Sequence, residues 1–327
     1  MKNDFLQKIT INKALNLLKN RVSYIISNIS KSGKRNGMPI SLSIEPAAIC
    51  QLHCPECTLG SNNLSRTNKF IDFELYKKII DEAAPNLLYL ILYFQGEPFL
   101  SPTIFNMIKY ANNKNIYTAT STNAQCIDKV MATKIVQSGL RKLIVSVDGV
   151  TQETYEKYRV GGNLNMTLKA IELINAEKIK YNSNFPKIEI QMIVFRHNQH
   201  EIDSFKSLGK KMKVQKITIK TAQIYNYTEK IELIPTIKKY SRYKFVNGTW
   251  KLKHKLHNRC IRMWQSAVIT TDGELLPCCF DKNANFSYGN LNQSTLKELW
   301  NNDKALSFRK QILSDRTQID ICQNCSE

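Results

Sequence analysis

The sequence lacks the features of exported and membrane-spanning proteins. No apolar run approaches the roughly 18 residues that a membrane span needs. The opening residues, Met1–Phe5, do not lead into an apolar segment with a small-residue cleavage site. We therefore expect a cytoplasmic protein. Acidic residues are also scarce: 27 Asp and Glu stand against 47 Lys and Arg, a net charge of +20, so an anionic partner is expected. With 43% apolar residues, the 327-residue chain can bury a sizeable core.

Residues 1–38 form a basic N-terminal segment with eight Lys and Arg and a single acid, Asp4. Its apolar residues recur at helical spacing, which predicts an amphipathic helix; they are Leu15, Leu18, Val22, Ile25, Ile26 and Ile29. We favour a helix that covers the body of the protein and turns its charged face to water. The alternative is peripheral contact with an anionic membrane surface or an acidic partner.

Residues 39–225 alternate between short apolar runs and helical patterns, which predicts a parallel sheet with helices outside it. The predicted strands are Ile40–Glu45, Leu88–Phe94, Tyr117–Thr122, Leu143–Asp148, Ile188–Phe195 and Lys216–Thr221. The predicted helices are Phe73–Ala84, Thr103–Asn113, Lys129–Ser138, Leu164–Lys178 and Gln199–Met212. A doubly wound sheet and a partial barrel share this pattern. In both, ligands bind at the carboxyl ends of the strands.

The remaining sequence divides into a connector, residues 226–259, and a cysteine-rich segment, residues 260–327. The connector loses the alternation and contains a Lys- and Tyr-rich stretch, 238–244. The last segment holds five of the nine cysteines and is too short for a large core. A metal centre would supply the stability that its packing lacks.

Cysteine is the residue type whose pattern says most about chemistry. In a non-exported chain of this length, nine cysteines favour metal ligation over disulfides. Cys50, Cys54 and Cys57, here called the N-terminal triad, form C-x3-C-x2-C directly after the first predicted strand. Such a loop can wrap one face of an iron–sulfur cube, and three ligands for four irons leave one iron open. An open iron can bind and activate a small molecule.

This triad, in this place, resembles that of the radical S-adenosylmethionine (radical SAM) superfamily. Gln95-Gly96-Glu97-Pro98, at the end of the second strand, resembles the family's GGEP motif. The resemblance implies an α/β fold: a partial (βα)6 TIM-like barrel over 39–225, followed by a small cysteine-rich α+β domain that holds an auxiliary cluster. It also implies that the triad is catalytic, holding a [4Fe–4S] cluster whose open iron is chelated by the methionine part of S-adenosylmethionine.

The resemblance further implies which strand ends contact S-adenosylmethionine. The acid of the GGEP-like motif suits the ammonium group, and a guanidinium suits the carboxylate. The implied contact residues are Gly96, Glu97, Ser121, Asn123, Ser146, Asp148 and Arg159. Glu56 stands before the third cysteine, where relatives often carry an aromatic residue near the adenine.

The C-terminal segment resembles the SPASM or twitch extensions of this superfamily, which hold an auxiliary [4Fe–4S] cluster. The resemblance implies four ligands, here called the C-terminal thiols: Cys260, Cys278, Cys322 and Cys325. A structural zinc site accepts the same ligand set and is the competing interpretation. Cys279 adjoins Cys278, and adjacent strand residues point to opposite sides, so only one of the two should be a ligand. We choose Cys278.

These observations lead to an enzymatic hypothesis and two alternatives. By resemblance, the enzyme cleaves S-adenosylmethionine reductively to a 5′-deoxyadenosyl radical and abstracts hydrogen from a substrate. A one-electron donor such as flavodoxin or ferredoxin would supply the electron. We expect oxidation or radical bond formation on an anionic small molecule, a sugar or an alcohol. The first alternative is a SPASM-type maturase of a ribosomal precursor peptide. The second is a non-enzymatic basic metal-binding module for nucleic acid; under the enzymatic hypothesis no nucleic acid is expected.

Overall fold

The structure is a computed structural model that describes residues 2–67 and 69–325. Met1, at the start of the predicted N-terminal segment, lies outside the described residues, as do Asn68, Ser326 and Glu327. Every statement below concerns the described ranges.

The core of the fold is one eight-stranded sheet that confirms the predicted α/β class. Its strands are β1 (Ser41–Ile44), β2 (Tyr89–Ile91), β3 (Tyr117–Thr122), β4 (Lys142–Ser146), β5 (Lys187–Val194), β6 (Lys216–Thr221), β9 (Ser266–Ile269) and β10 (Leu275–Leu276). The order across the sheet is β10-β9-β1-β2-β3-β4-β5-β6. Strands β1 to β6 pair in parallel with their neighbours, as expected for a partial barrel.

Helices lie between the parallel strands and in the segments before and after them. They are α1 (Lys2–Leu6), α2 (Ile11–Ser30), α3 (Phe73–Ala83), α4 (Ile104–Asn113), α5 (Lys129–Gln137), α6 (Gln152–Tyr158), α7 (Leu164–Lys180), α8 (Ile202–Lys211), α9 (Arg262–Gln265), α10 (Leu296–Asn301), α11 (Asp303–Asp315) and α12 (Asp320–Gln323). The five helices predicted within 39–225 are all present. Helix α6 was not predicted; it is short, and the side chain of Thr151, the residue before it, caps its first turn.

The local sequence explains why these elements form and where they pack. Asp72 caps α3 by accepting a hydrogen bond from the backbone N–H of Leu75. The apolar residues of α3, among them Tyr76 and Ile79, are buried against the sheet. In β4 the residues 143–145 are all buried, which is typical of a parallel strand that is covered on both faces.

The cysteine-rich segment joins the main sheet. Strand β9 pairs in parallel with β1, and β10 returns antiparallel to β9. The boundary predicted at residue 260 therefore separates two stretches of sequence that share one sheet. The predicted connector contains a separate hairpin of β7 (Tyr243–Val246) and β8 (Thr249–Leu252).

The N-terminal helix is present, but the predicted orientation is wrong. Helix α2 buries its polar face and exposes its apolar one. The physical reason is that backbone carbonyls near the amino ends of the strands need donors. Asn20 donates to the carbonyl of Met38 at 2.8 Å, and Lys13 donates to that of Asn115 at 2.7 Å. No helix within the described ranges has the length and hydropathy to cross a membrane.

Candidate functional site

A cavity of about 330 Å³ lies at the carboxyl ends of the parallel strands. The N-terminal triad lines it together with six of the seven residues predicted to contact S-adenosylmethionine. These six are Gly96, Glu97, Ser121, Asn123, Ser146 and Arg159. Asp148 does not line the cavity but lies behind Arg159. The fold thus gathers strand ends that are far apart in sequence around the three thiols.

The triad lies on a compact loop that follows β1. The backbone N–H of Cys57 donates to the carbonyl of Cys54 at 3.1 Å. Gly60 lies so close to this turn that an added Cβ would stand 2.6 Å from the backbone nitrogen of Cys54. Leu52 N–H and the Asn123 amide approach the Cys50 sulfur at 3.4 and 3.5 Å. The loop is therefore held by its own backbone and by the end of β3.

The thiols of the triad need a nearby positive charge to be stable as thiolates. Burial raises the pKa of Cys50 to about 11 and also raises that of Cys54. Buried thiols become thiolates when they bind a metal. The nearest fixed cation is Arg159, whose guanidinium lies 3.8 Å from the Cys54 sulfur. Three thiols on one short loop beside an open cavity fit an iron–sulfur cluster that keeps one iron accessible.

The Gly96-Glu97 turn is built into the same wall. A Cβ at Gly96 would stand 2.2 Å from the carbonyl oxygen of Ala47, so only glycine lets the turn approach the chain that leads to the triad. The Glu97 carboxylate accepts hydrogen bonds from Thr122 Oγ1 and from Asn123 N–H, both at 2.8 Å. Burial raises the pKa of Glu97. Glu97 therefore ties the end of β2 to the end of β3.

Arg159 and Asp148 form a buried ion pair at the end of β4. Arg159 Nε lies 2.6 Å from one oxygen of Asp148, and the other oxygen accepts from Ile193 N–H at 2.6 Å. Burial disfavours the charged guanidinium, but Asp148 and Cys54 outweigh it and hold the pKa of Arg159 well above its usual value. Arg159 thus presents a permanent positive charge in a fixed position.

The C-terminal thiols line a second cavity with mainly apolar walls. Arg316 lies among these four thiols, with its Nη2 atom 3.1 Å from the Cys325 sulfur. Burial disfavours its charge, but Cys322 and Cys260 outweigh burial and raise the pKa of Arg316. Cys279 lies outside this lining and contacts Arg262 at 3.8 Å. Four thiols with a buried cation suit an iron–sulfur cluster, whose ligands are anionic.

No group of three or more His, Cys, Asp or Glu side chains in the described part of the chain is arranged to hold a metal ion. An iron–sulfur cluster is larger than a single ion and is held by thiolates around its outside.

The main cavity is also lined by three cations that were not predicted from the sequence. They are Lys220, Arg242 and Lys282, here called the cationic wall. Lys220 lies at the end of β6, where a polar strand end was a usable signal. Arg242 belongs to the 238–244 stretch that looked like a connector, and Lys282 follows the C-terminal hairpin. Only the folded chain brings these three residues together.

Glu56 also lines the cavity. Its carboxylate accepts from Tyr225 N–H at 2.6 Å and from Lys230 Nζ at 2.5 Å. It therefore fastens the triad loop to the start of the connector.

Two family models match the sequence. The radical SAM superfamily matches residues 44–208, which is half of the chain. SPASM, an iron–sulfur cluster-binding domain, matches residues 260–326. The radical SAM match contains the N-terminal triad, and the SPASM match contains the C-terminal thiols.

Individual relatives are more distant. Mycofactocin maturase MftC of Mycobacterium ulcerans is 27% identical over 171 residues, 52% of this chain and 44% of that protein. The PqqA peptide cyclase of Bradyrhizobium diazoefficiens is 23% identical over 203 residues, 62% of this chain and 52% of that protein. The chain thus spans about half the length of these curated relatives.

A solved structure shares the fold. Streptococcus suis SuiB bound to its precursor peptide SuiA superposes with a TM-score of 0.66 and 16% identity. The match covers 97% of this chain and 75% of SuiB.

Proposed function

Because the chain belongs to the radical SAM superfamily, we propose that it is a maturase that modifies an acidic peptide. It is an enzyme, and its cofactors are S-adenosylmethionine and iron–sulfur clusters. The hypothesis of a non-enzymatic nucleic-acid module is therefore abandoned. The substrate class and the roles of individual residues are the proposal.

In this proposal the N-terminal triad holds the cluster with the open iron, and the C-terminal thiols hold the auxiliary one. When bound, the first cluster supplies the electron that cleaves S-adenosylmethionine. Arg159, fixed by Asp148, binds the carboxylate of its methionine part, because a guanidinium matches that geometry. Glu97 holds the ends of β2 and β3 together, and with Gly96 it forms the wall beside the methionine amino group.

The cationic wall is the single observation that supports an anionic substrate. No acidic side chain of residues 2–67 and 69–325 makes an ion pair with Lys220, Arg242 or Lys282. Glu56, an acid that lines the cavity, is already paired with Lys230. Cations without an ion pair around a cavity favour an anionic ligand. An Asp or Glu side chain of a peptide meets this requirement.

The relatives favour a peptide over the sugar or alcohol that the sequence led us to expect. One is named a peptide cyclase, and SuiB was solved with a precursor peptide. The cavity is consistent with this, since it opens to solvent at the carboxyl ends of the strands.

The test uses the anaerobically reconstituted, reduced full chain with S-adenosylmethionine. Two synthetic peptides are compared: one rich in Asp and Glu, and its copy with every acid replaced by the amide. We expect the acidic peptide to stimulate 5′-deoxyadenosine formation and to become two hydrogen atoms lighter by mass spectrometry, and we expect the amide copy to do neither. One hydrogen atom would leave in 5′-deoxyadenosine, and the second would leave as a proton whose electron would pass to the cluster held by the C-terminal thiols. In Lys220→Gln, we expect KM for the acidic peptide to rise about tenfold, since a charged hydrogen bond contributes about 1.5–3 kcal/mol.

The control variant is Lys304→Gln, which removes an exposed lysine far from the cavity. Equal stimulation by both peptides contradicts an acidic substrate. Stimulation by a sugar phosphate, with no response to either peptide, replaces the peptide proposal with the small-molecule one. Absence of 5′-deoxyadenosine under all conditions contradicts the assignment of the triad.

A further inference from the structure

Helix α2 exposes a continuous apolar stripe, which is unusual for a helix that is packed on a protein. Ile11 and Ile29, near its two ends, are each 80% exposed. The stripe consists of Ile11, Leu15, Leu18, Val22, Ile25, Ile26 and Ile29, all at least 45% exposed. Leu6 and Ile9 extend it toward the N-terminus. At about 1.5 Å per residue, the twenty residues of α2 make this stripe about 30 Å long.

The polar face of α2 fixes this orientation. Its buried residues are Lys13, Asn16, Asn20, Ser23 and Ser27. Asn16 exchanges two hydrogen bonds with the backbone of Met38, and Ser27 Oγ donates to the carbonyl of Lys34 at 2.6 Å. Rotating the helix to hide its apolar residues would break these bonds. The exposed stripe is therefore a fixed property of the fold.

Charge indicates what the stripe contacts. Residues 6–35 contain seven Lys and Arg and no Asp or Glu. With about 3.6 residues per turn, Lys19 and Arg21 fall on opposite edges of the stripe, and both are exposed. Three of the seven cations, Lys8, Lys13 and Arg35, are buried. An apolar band with an exposed cation on each edge matches a bilayer interface, where acyl chains lie beneath anionic headgroups. A second copy of the chain would bring two basic segments together.

The stripe lies at the end of the barrel away from the catalytic cavity. Lys13 bonds to Asn115, which precedes β3. Phe5 packs edge-on against Tyr117 and at a tilt against Tyr89, at the amino ends of β3 and β2. The cavity opens at the carboxyl ends. A surface held by α2 would therefore leave the cavity mouth free.

We propose that α2 docks the enzyme onto an anionic lipid surface, lying in the plane of the interface with its stripe among the acyl chains and Lys19 and Arg21 among the headgroups. This inference is independent of the substrate, because no residue of the stripe lines the cavity.

The test is sedimentation of the full chain with vesicles of mixed phosphatidylcholine and phosphatidylglycerol, against vesicles of phosphatidylcholine alone. We expect binding to the mixed vesicles that weakens as salt rises. The variant Leu18→Gln/Val22→Gln/Ile25→Gln should lower the partition coefficient at least about tenfold. Lys19→Gln/Arg21→Gln should lower it about fivefold for each cation removed.

The matched control is Val130→Gln/Met166→Gln/Ile179→Gln, which removes three exposed apolar side chains elsewhere. This control should bind vesicles as the parent does. The proposal is overturned if the parent does not bind the mixed vesicles, or if the stripe variant binds as well as the control. It is also overturned if light scattering shows a dimer that the stripe variant abolishes. Circular dichroism establishes that each variant is folded.

Discussion

The two thiol groups share a ligand type but differ in their surroundings. The N-terminal triad borders a solvent-connected cavity lined by both polar and apolar side chains, including the cationic wall. The C-terminal thiols border a cavity with mainly apolar side chains, such as Met263, Phe308 and Ile312. A site that must admit a cosubstrate and a substrate needs such a path to solvent. A fully ligated cluster needs only a shell that holds it.

Each thiol group also has one arginine, and the two arginines are held differently. Arg159, beside Cys54, is paired with Asp148 and faces the open cavity. Arg316, beside Cys325, donates to the backbone carbonyl of Arg259. From this comparison we predict that Arg159 serves both the thiolates and a ligand, whereas Arg316 serves the thiolates and the backbone around them. Three variants test this difference.

Removing the triad should have the largest effect. In Cys50→Ala/Cys54→Ala/Cys57→Ala, we expect 5′-deoxyadenosine formation to fall to the level without enzyme, because no thiolate is left to hold the catalytic cluster. Iron bound by the C-terminal thiols should be retained, and its visible absorbance should persist. Chromatography of the nucleoside products and iron analysis measure the two effects.

The control for the triad is Cys126→Ala, which removes a half-buried cysteine outside both groups. This variant should retain cleavage. Turnover in the triple variant would show that the catalytic cluster is held elsewhere.

Neutralising Asp148 should have an intermediate effect. Asp148→Asn keeps the side-chain shape but removes the charge that fixes Arg159, so Arg159 should turn from the cavity toward Cys54. We expect a loss of about 10–100-fold in kcat/KM for S-adenosylmethionine, as for other residues that orient a ligand from behind. Because Asp148 acts by positioning, the loss should lie mainly in KM.

Asp203→Asn, at an exposed acid that pairs only with its helix neighbour Lys206, should leave both constants unchanged. If Asp148→Asn instead lowers kcat with KM unchanged, Arg159 does not bind the cosubstrate.

Local sequence was enough to predict the triad and the six parallel strands. The spacing of Cys50, Cys54 and Cys57 lies within one loop, and the strands follow from short apolar runs. The cationic wall could not be predicted, because its three residues come from β6, the connector and the C-terminal segment. Asp148 was predicted to contact S-adenosylmethionine because it lies at a strand end, but it does not line the cavity and instead pairs with Arg159.

Helix α2 shows a different limit of sequence reasoning. Its period was sufficient to predict a helix, and the usual burial of apolar residues then suggested the wrong face. Helix α3 has a comparable pattern and buries its apolar residues as expected. The difference lies in what each helix meets: α3 meets the apolar outer face of the sheet, whereas α2 meets backbone carbonyls that require donors such as Asn20. The spacing of apolar residues in α2 does not show which backbone groups the helix will contact in the fold.

Replacing Arg316 should have the smallest effect and should fall on the other thiol group. Arg316→Gln removes the buried cation beside Cys325, and a hydrogen bond to a charged group contributes about 1.5–3 kcal/mol. We therefore expect the free energy of unfolding of the reconstituted protein to fall by about 2 kcal/mol, with partial loss of iron from the C-terminal thiols. The N-terminal cluster should still cleave S-adenosylmethionine, because Arg159 is untouched. Urea unfolding under anaerobic conditions and iron per chain are the measurements, with Lys310→Gln, at an exposed residue of the preceding helix α11, as the control. Equal loss of iron from both groups would show that the two thiol sites are not independent, and the contrast between their arginines would no longer hold.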